Sequence, residues 1–163
     1  MKSKLSNKKL LEIYKNLLLP RLIEERMLIL LRQGKISKWF SGIGQEAISI
    51  GVTSALNSGD VIFPMHRNLG VFTSRDVDLK KLFCQLMGKE GGFTKSRERS
   101  FHFGALDYNI VGMISHLAAM LPVACGTSYI KKIKKTGDIA IAFIGDGATS
   151  EGDFHEALNL AAV

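Results

Sequence analysis

The residues of this chain best placed to do chemistry are Gly145, Asp146 and Gly147, which follow the apolar run Ile139 to Ile144 and precede the polar stretch Ala148 to Gly152. A buried strand that feeds a glycine turn into a helix start presents backbone N–H groups and the positive end of a helix dipole, a combination that favours phosphate. The glycines let the main chain approach a ligand closely, and Asp146 adds a hard carboxylate oxygen at the same spot. A carboxylate beside phosphate oxygens suits Mg²⁺, which takes one or two carboxylates and fills its shell with phosphate and water. Two other readings stay open at the level of the residues. A dinucleotide-binding fingerprint needs a third glycine at position 150, where Ser150 stands. An ordinary glycine turn with an acidic cap needs no ligand.

Such a turn has to be carried by regular elements, and the periodicities supply a series of them. Ser6 and Asn7 can cap a helix through Leu10, Leu11, Ile13, Tyr14, Leu17 and Leu18, running past Pro20 to Leu31 and stopping at Gly34. Pro20 is expected to kink or split it. From Gly44, GQEAISIGVTSAL has helical spacing and stops at Asn57-Ser58-Gly59; Val61 to Phe63 reads as a short buried strand. A helix from Asp78 to Gly88 comes next. Lys89 to Gly112 then shows no period and holds Lys95, Arg97, Arg99 and His102; a loop of this length is usually functional or disordered. A helix from Ser115 to Lys131, a basic link from Lys131 to Lys135, a strand from Ile139 to Ile144, the glycine turn and a last helix complete the series. This rhythm implies an α/β protein with a parallel sheet and ligands at the carboxyl ends of its strands. The apolar period is still running at Val163 with no strand after it, so the expected fold is cut short after the strand–GDG–helix unit.

The chain has 163 residues, 46% of them hydrophobic and 23% charged, which excludes a disordered or collagen-like polypeptide and fits one packed domain or part of one. No apolar run reaches the roughly 20 residues that span a bilayer, and the start lacks a signal peptide, so a cytoplasmic location is the default. The net charge of +7 is carried by residues 1–38, a basic helical arm, while 39–163 balance. Charge alone does not choose among a nucleic acid, an anionic membrane and an acidic partner for such an arm; a solvated helix face is the reading taken, with neither nucleic acid nor membrane among the expected partners. Cys84 and Cys125 form no metal or redox pair and read as buried thiols.

The run GDGATSEGDFHEALNLAAV resembles the thiamine diphosphate motif in the alpha subunit of the first component of 2-oxo acid dehydrogenase complexes, of the pyruvate and branched-chain type. ERMLILLRQGKIS, GQEAISIGVTSAL, MHRNLGVF, RSFHFG and ISHLAAMLPVACG match in the family's order, so the resemblance covers all but the basic arm. It implies that residues 39–163 are the amino-terminal part of a thiamine diphosphate-binding domain. The activity it implies is oxidative decarboxylation of a 2-oxo acid, with transfer of the acyl group to a lipoyl carrier on the acyltransferase component. The working form would be an α2β2 assembly whose beta subunit supplies the glutamate that starts catalysis. The contrasting reading is a truncated or split-gene fragment, inactive alone and a weak binder of cofactor, since the family's second Mg²⁺ side chain lies beyond Val163.

Residue by residue, Asp146 matches the Mg²⁺ ligand, and Gly147 and Ala148 match backbone contacts to the diphosphate. Arg67 matches a diphosphate-binding arginine, with His66 where many members have tyrosine. Ser115 and Leu117 match positions against the aminopyrimidine, the apolar side chain forcing the cofactor to bend. His102 matches a histidine facing the active site, able to orient the substrate carboxylate or the lipoyl group. Ala119 and Met120 replace the hydroxyl and amide of a potassium site in branched-chain members. Glu46 reads as support for the site or a subunit contact, and His116 and His155 as structural helix residues. Phe40 stands where pyruvate-type members have a histidine, and so points to a branched-chain 2-oxo acid.

Overall fold

The computed structural model describes residues 5–98 and 101–163; Lys2 and Lys4 of the basic arm, with Arg99 and Ser100 of the RSFHFG stretch, lie outside the described residues. Ser6 opens helix α1 (Asn7–Arg32) by accepting from the Lys9 N–H at 3.3 Å. The helix runs unbroken across Pro20, contrary to the expected split. Pro20, Ile23, Glu24 and Met27, at helical spacing, are its buried residues and hold both sides of the proline to the core. Leu10, Leu11, Tyr14 and Leu18 of its first half are exposed.

The remaining elements are short. Helix α2 (Glu46–Thr53) is followed by strand β1 (Val61–Phe63), then by helices α3 (Leu69–Ser74) and α4 (Leu79–Leu86). Asp78 caps α4 through the N–H groups of Lys80 and Lys81. Helix α3 has no counterpart in the sequence reading: five of its six residues are buried, so it has no polar stripe to mark a period. Gly70 lets it press on α2, because a methyl there would sit 2.8 Å from the Ser49 Cβ.

Beyond the long loop, helix α5 covers Met120–Lys134, strand β2 Ala140–Ala142 and helix α6 Gly152–Ala162. Three expectations are corrected here. Ser115 to Ala119 are not helical, because Ala118 takes a left-handed backbone (φ 61°). Lys131 to Lys134 belong to the last turn of α5 rather than to a link, and their charge suits its carboxyl end. The GDG sequence does not feed α6 directly: Asp146 and Gly147 open a 3-10 turn, Asp146–Ser150, that precedes it.

β1 and β2 pair in parallel, Val61 with Ala140 and Phe63 with Ala142. On the other edge of β1, the Ile62 N–H donates to the Asn109 carbonyl and the Val111 N–H to the Ile62 carbonyl, both at 2.9 Å, so residues 109–111 run as a third parallel segment. The larger core joins Ile23, Met27, Trp39, Ile62, Phe72, Leu82, Phe101 and Phe103; a smaller one joins Val61, Phe63 and Ala124. Cys84 and Cys125 are half-buried free thiols, less enclosed than expected. Among the described residues no helix is long and apolar enough to cross a membrane.

Candidate functional site

Three parallel backbone segments end on the same side of the sheet, and each releases a loop there. β1 runs into Pro64–Arg67, residues 109–111 into Met113–Leu117, and β2 into Phe143–Ala148. The loops enclose a cleft of about 60 Å³ whose wall includes His66, Ser115, Leu117, Phe143, Gly145 and Ala148. Ser115 also lines a larger hollow of about 730 Å³ with Lys38, Phe40 and His102. A further hollow of about 920 Å³ holds Arg97, His102 and Ser115. Ser115 is therefore common to all three.

The side chains are held in specific ways. Asn68, buried, accepts from the Met65 N–H at 2.8 Å and donates to the Ser49 hydroxyl at 3.1 Å, which fixes the turn carrying His66 and Arg67. The Phe40 ring lies 4.6 Å from the His66 ring, with the Lys38 ammonium 4.6 Å over Phe40 on its own account. The His66 and His102 rings are parallel, 6.4 Å apart, and His102 Nε2 lies 2.7 Å from the Ser115 hydroxyl. Burial, then the positive charges of Arg67, His102 and Lys38, hold His66 below the ordinary histidine value, so it stands as a neutral imidazole at pH 7. The exposed Arg67 guanidinium gives one of its five N–H donors to the Ser41 carbonyl at 2.6 Å.

His66, Ser115, Leu117 and Ala148 thus meet in the small cleft, and Phe40 and His102 in the hollow beside it. Asp146 and Gly147 are exposed on the same turn and do not form the cleft wall; Arg67 is likewise outside it. His116 departs from the expected helix position, being exposed in the irregular segment that lines the cleft, whereas His155 does lie on α6. Glu46 is tied down rather than solvated: its carboxylate accepts from Arg21 Nε at 2.6 Å and from the Gly44 N–H at 2.9 Å, and the arginine holds it below the usual carboxylate range.

The donor set suits the anionic end of a diphosphate cofactor. Arg67 and the turn at 145–148 flank the cleft, a methyl placed on Gly147 would meet nothing within 4 Å, and Asp146 offers the single carboxylate that Mg²⁺ beside phosphates requires. Among the described residues no cluster of three metal-ligating side chains exists, so a metal here would depend on ligand oxygens. The cleft alone is far below the ~300 Å³ of a typical cofactor site, and a larger hollow adjoins it at Ser115. Lys38, Met65, Asn68 and Phe143 were missed as site residues. Met65 and Asn68 carried a signal, their places in the MHRN motif.

Comparison with known proteins adds an independent line. The family described as "Dehydrogenase E1 component" matches residues 14–163. The chain is 37% identical over 152 residues to 2-oxoisovalerate dehydrogenase subunit alpha 2 of Arabidopsis thaliana, covering 93% of this chain and 32% of that protein. It is 37% identical to 2-oxoisovalerate dehydrogenase subunit alpha of Pseudomonas aeruginosa, covering 98% of this chain and 39% of the relative. It is 34% identical to the alpha subunit of acetoin:2,6-dichlorophenolindophenol oxidoreductase of Bacillus subtilis, covering 98% and 48%. The chain spans about a third of the length of the plant relatives it matches. With the family covering all but the first 13 residues, and a cleft at the carboxyl ends of three parallel segments, the chain belongs to the dehydrogenase E1 component family.

Proposed function

We propose that this chain is the amino-terminal, cofactor-binding region of an alpha subunit that works with a beta subunit, as α2β2, in the thiamine diphosphate-dependent oxidative decarboxylation of a branched-chain 2-oxo acid, the acyl group passing to a lipoyl-bearing acyltransferase. The observation that carries this reading is the shared cleft of His66, Ser115, Leu117 and Ala148, in a chain similar over nearly all its length to 2-oxoisovalerate dehydrogenase alpha subunits. Thiamine diphosphate, when bound, supplies the electron sink for loss of carbon dioxide.

This chain's own residues bind and orient. Asp146 would hold Mg²⁺, and Arg67, steadied by Ser41, would present its guanidinium fork to the diphosphate. Neutral His66 would donate one N–H to a phosphate oxygen without adding a charge. Ser115 and Leu117 would face the aminopyrimidine. His102, 2.7 Å from the Ser115 hydroxyl, would hold a proton at Nε2 toward the substrate carboxylate or the lipoyl group.

Phe40 gives the substrate its apolar wall. Half-buried between His66 and Lys38, it offers no hydrogen-bond donor to a small polar substrate, while a branched side chain gains about 25 cal/mol for each Å² it buries. One methylene in such a pocket discriminates by only about 1–3 kcal/mol, so the preference is a ratio rather than an exclusion. In the enzyme reconstituted with its beta subunit, kcat/KM for 3-methyl-2-oxobutanoate should exceed that for pyruvate, and Phe40→His should move the ratio toward pyruvate. A ratio below one overturns the branched-chain assignment. Preference for acetoin over both acids would place the chain with the Bacillus relative instead.

A further inference from the structure

Glu24 is 1% exposed, on the buried stripe of α1, and it enters none of the ion pairs among the described residues. A carboxylate in that position is held by its hydrogen bonds, so its partners are informative. Oε2 accepts from the Trp39 indole at 2.6 Å, and Oε1 from the Gly42 N–H at 2.9 Å. Both donors lie on one strap, residues 39–42. Its opposite side is registered on the turn that carries His66 and Arg67. Phe40 packs on His66, the Ser41 carbonyl takes the Arg67 guanidinium, and at Gly42 the two backbones are so close that a methyl would overlap the Arg67 carbonyl.

We propose that Glu24 is a positioning residue for both ends of the site: by gripping Trp39 and Gly42 from α1 it sets the strap on which Phe40, His66 and Arg67 are registered, without itself touching a ligand. This rests on the functional reading above. Two anchor points flanking Phe40 and Ser41 stop the strap from sliding or tilting, and a displacement near 1 Å of a group that holds a ligand can cost on the order of a hundredfold in function. The effect belongs to binding and selectivity, because Glu24 reaches no reacting atom.

Glu24→Gln keeps the side chain's volume but turns an NH₂ toward one of the two donors. In the full-length protein assembled with its beta subunit, this variant should raise the KM for thiamine diphosphate about tenfold and leave kcat at saturating cofactor within about twofold. Trp39→Phe, which removes one of the two bonds, should give a smaller rise in the same direction. A residue serving only to stabilise the fold would lower the amount of active enzyme and leave that KM unchanged, and an unchanged KM in both variants overturns the proposal. A crystal structure of the assembled Glu24→Gln protein gives a readout that needs no cofactor. Separation of Phe40 from His66 and loss of the Arg67–Ser41 bond support the clamp, and retention of both overturns it. If Glu24→Gln does not fold, the same two readouts are taken from Trp39→Phe. If the unaltered enzyme shows no dependence on thiamine diphosphate, the functional reading falls, and the crystallographic contacts alone decide the clamp.

Discussion

Asp146 and Arg67 would serve the proposed diphosphate by different means, one as a metal ligand and one as a guanidinium fork, and they differ in what their removal should do. Asp146→Ala deletes the only carboxylate on the turn, so the assembled enzyme should fail to retain cofactor after gel filtration in Mg²⁺ buffer. Arg67→Ala leaves the metal side intact and should weaken apparent cofactor affinity by ~2–4 kcal/mol, read from saturation curves. Near-normal curves for both variants would mean that the diphosphate lies elsewhere. His66 sets a pH dependence whose sign follows from its burial. Its folded value lies below the ordinary 6.5, so above that pH neither state carries the proton and the stability is whole. As pH falls through 6.5 toward the folded value, the unfolded chain takes up a proton the folded one refuses, and stability drops. Denaturant midpoints at about pH 7.5 and about pH 5.5 should therefore differ less in His66→Gln than in the unaltered protein. Bound diphosphate would act in the opposite direction and raise the imidazole's value, which a histidine NMR titration reads directly.

Two glycines test the packing element by element. In Gly42→Ala the new methyl meets main chain, the Arg67 carbonyl, which cannot swing aside, and the variant should lose ~1–3 kcal/mol in thermal or denaturant unfolding. Gly126→Ala, inside α5 with nothing within 4 Å of the added methyl, should gain ~0.5–1 kcal/mol and serves as the control. Much of this scale was legible in advance: the Ser6 and Asp78 caps, the strand at Val61–Phe63 and the parallel arrangement all follow from local chemistry and rhythm. What was not legible has physical causes. Pro20 failed to split α1 because its neighbours at Ile23, Glu24 and Met27 are buried on the same face. α3 is buried nearly all round and gives no periodic signal, and the left-handed Ala118 that delays α5 is a residue type that rarely adopts such a backbone. At the site, Glu24 stood in a Glu-Glu pair that reads as solvated helix charge, and only the tertiary contact with Trp39 and Gly42 reveals it.

At the scale of the molecule, packing is unevenly shared. The buried residues of the larger core all lie between Ile23 and Ile110, with Phe143 packed against them, whereas α5 and α6 bury one residue each, Ala124 and Ala157. Their apolar surface stays open at Val123, Tyr129, Ile130, Ile133, Leu158 and Leu160. The candidate site straddles this division: Phe40, His66 and His102 belong to the densely packed part, Asp146 and Ala148 to the sparsely packed one. Amide hydrogens of α5 and α6 should accordingly exchange with solvent at lower opening free energies than those of α3 and α4, a ranking that mass-spectrometric exchange on the protein measures; equal protection would refute it.

The parallel pairing of Val61 with Ala140 also has a consequence in time. A chain emerging from the ribosome exposes β1 long before its partner exists: at roughly 5–20 residues per second the wait is on the order of 4–16 s. The segment at 109–111 arrives first and closes one side of the strand, but the other stays an unpaired ladder of N–H and C=O groups until β2 appears. For those seconds Val61-Ile62-Phe63 is an apolar strand with one open edge, and its safe passage depends on how quickly the core between Ile23 and Ile110 folds around it.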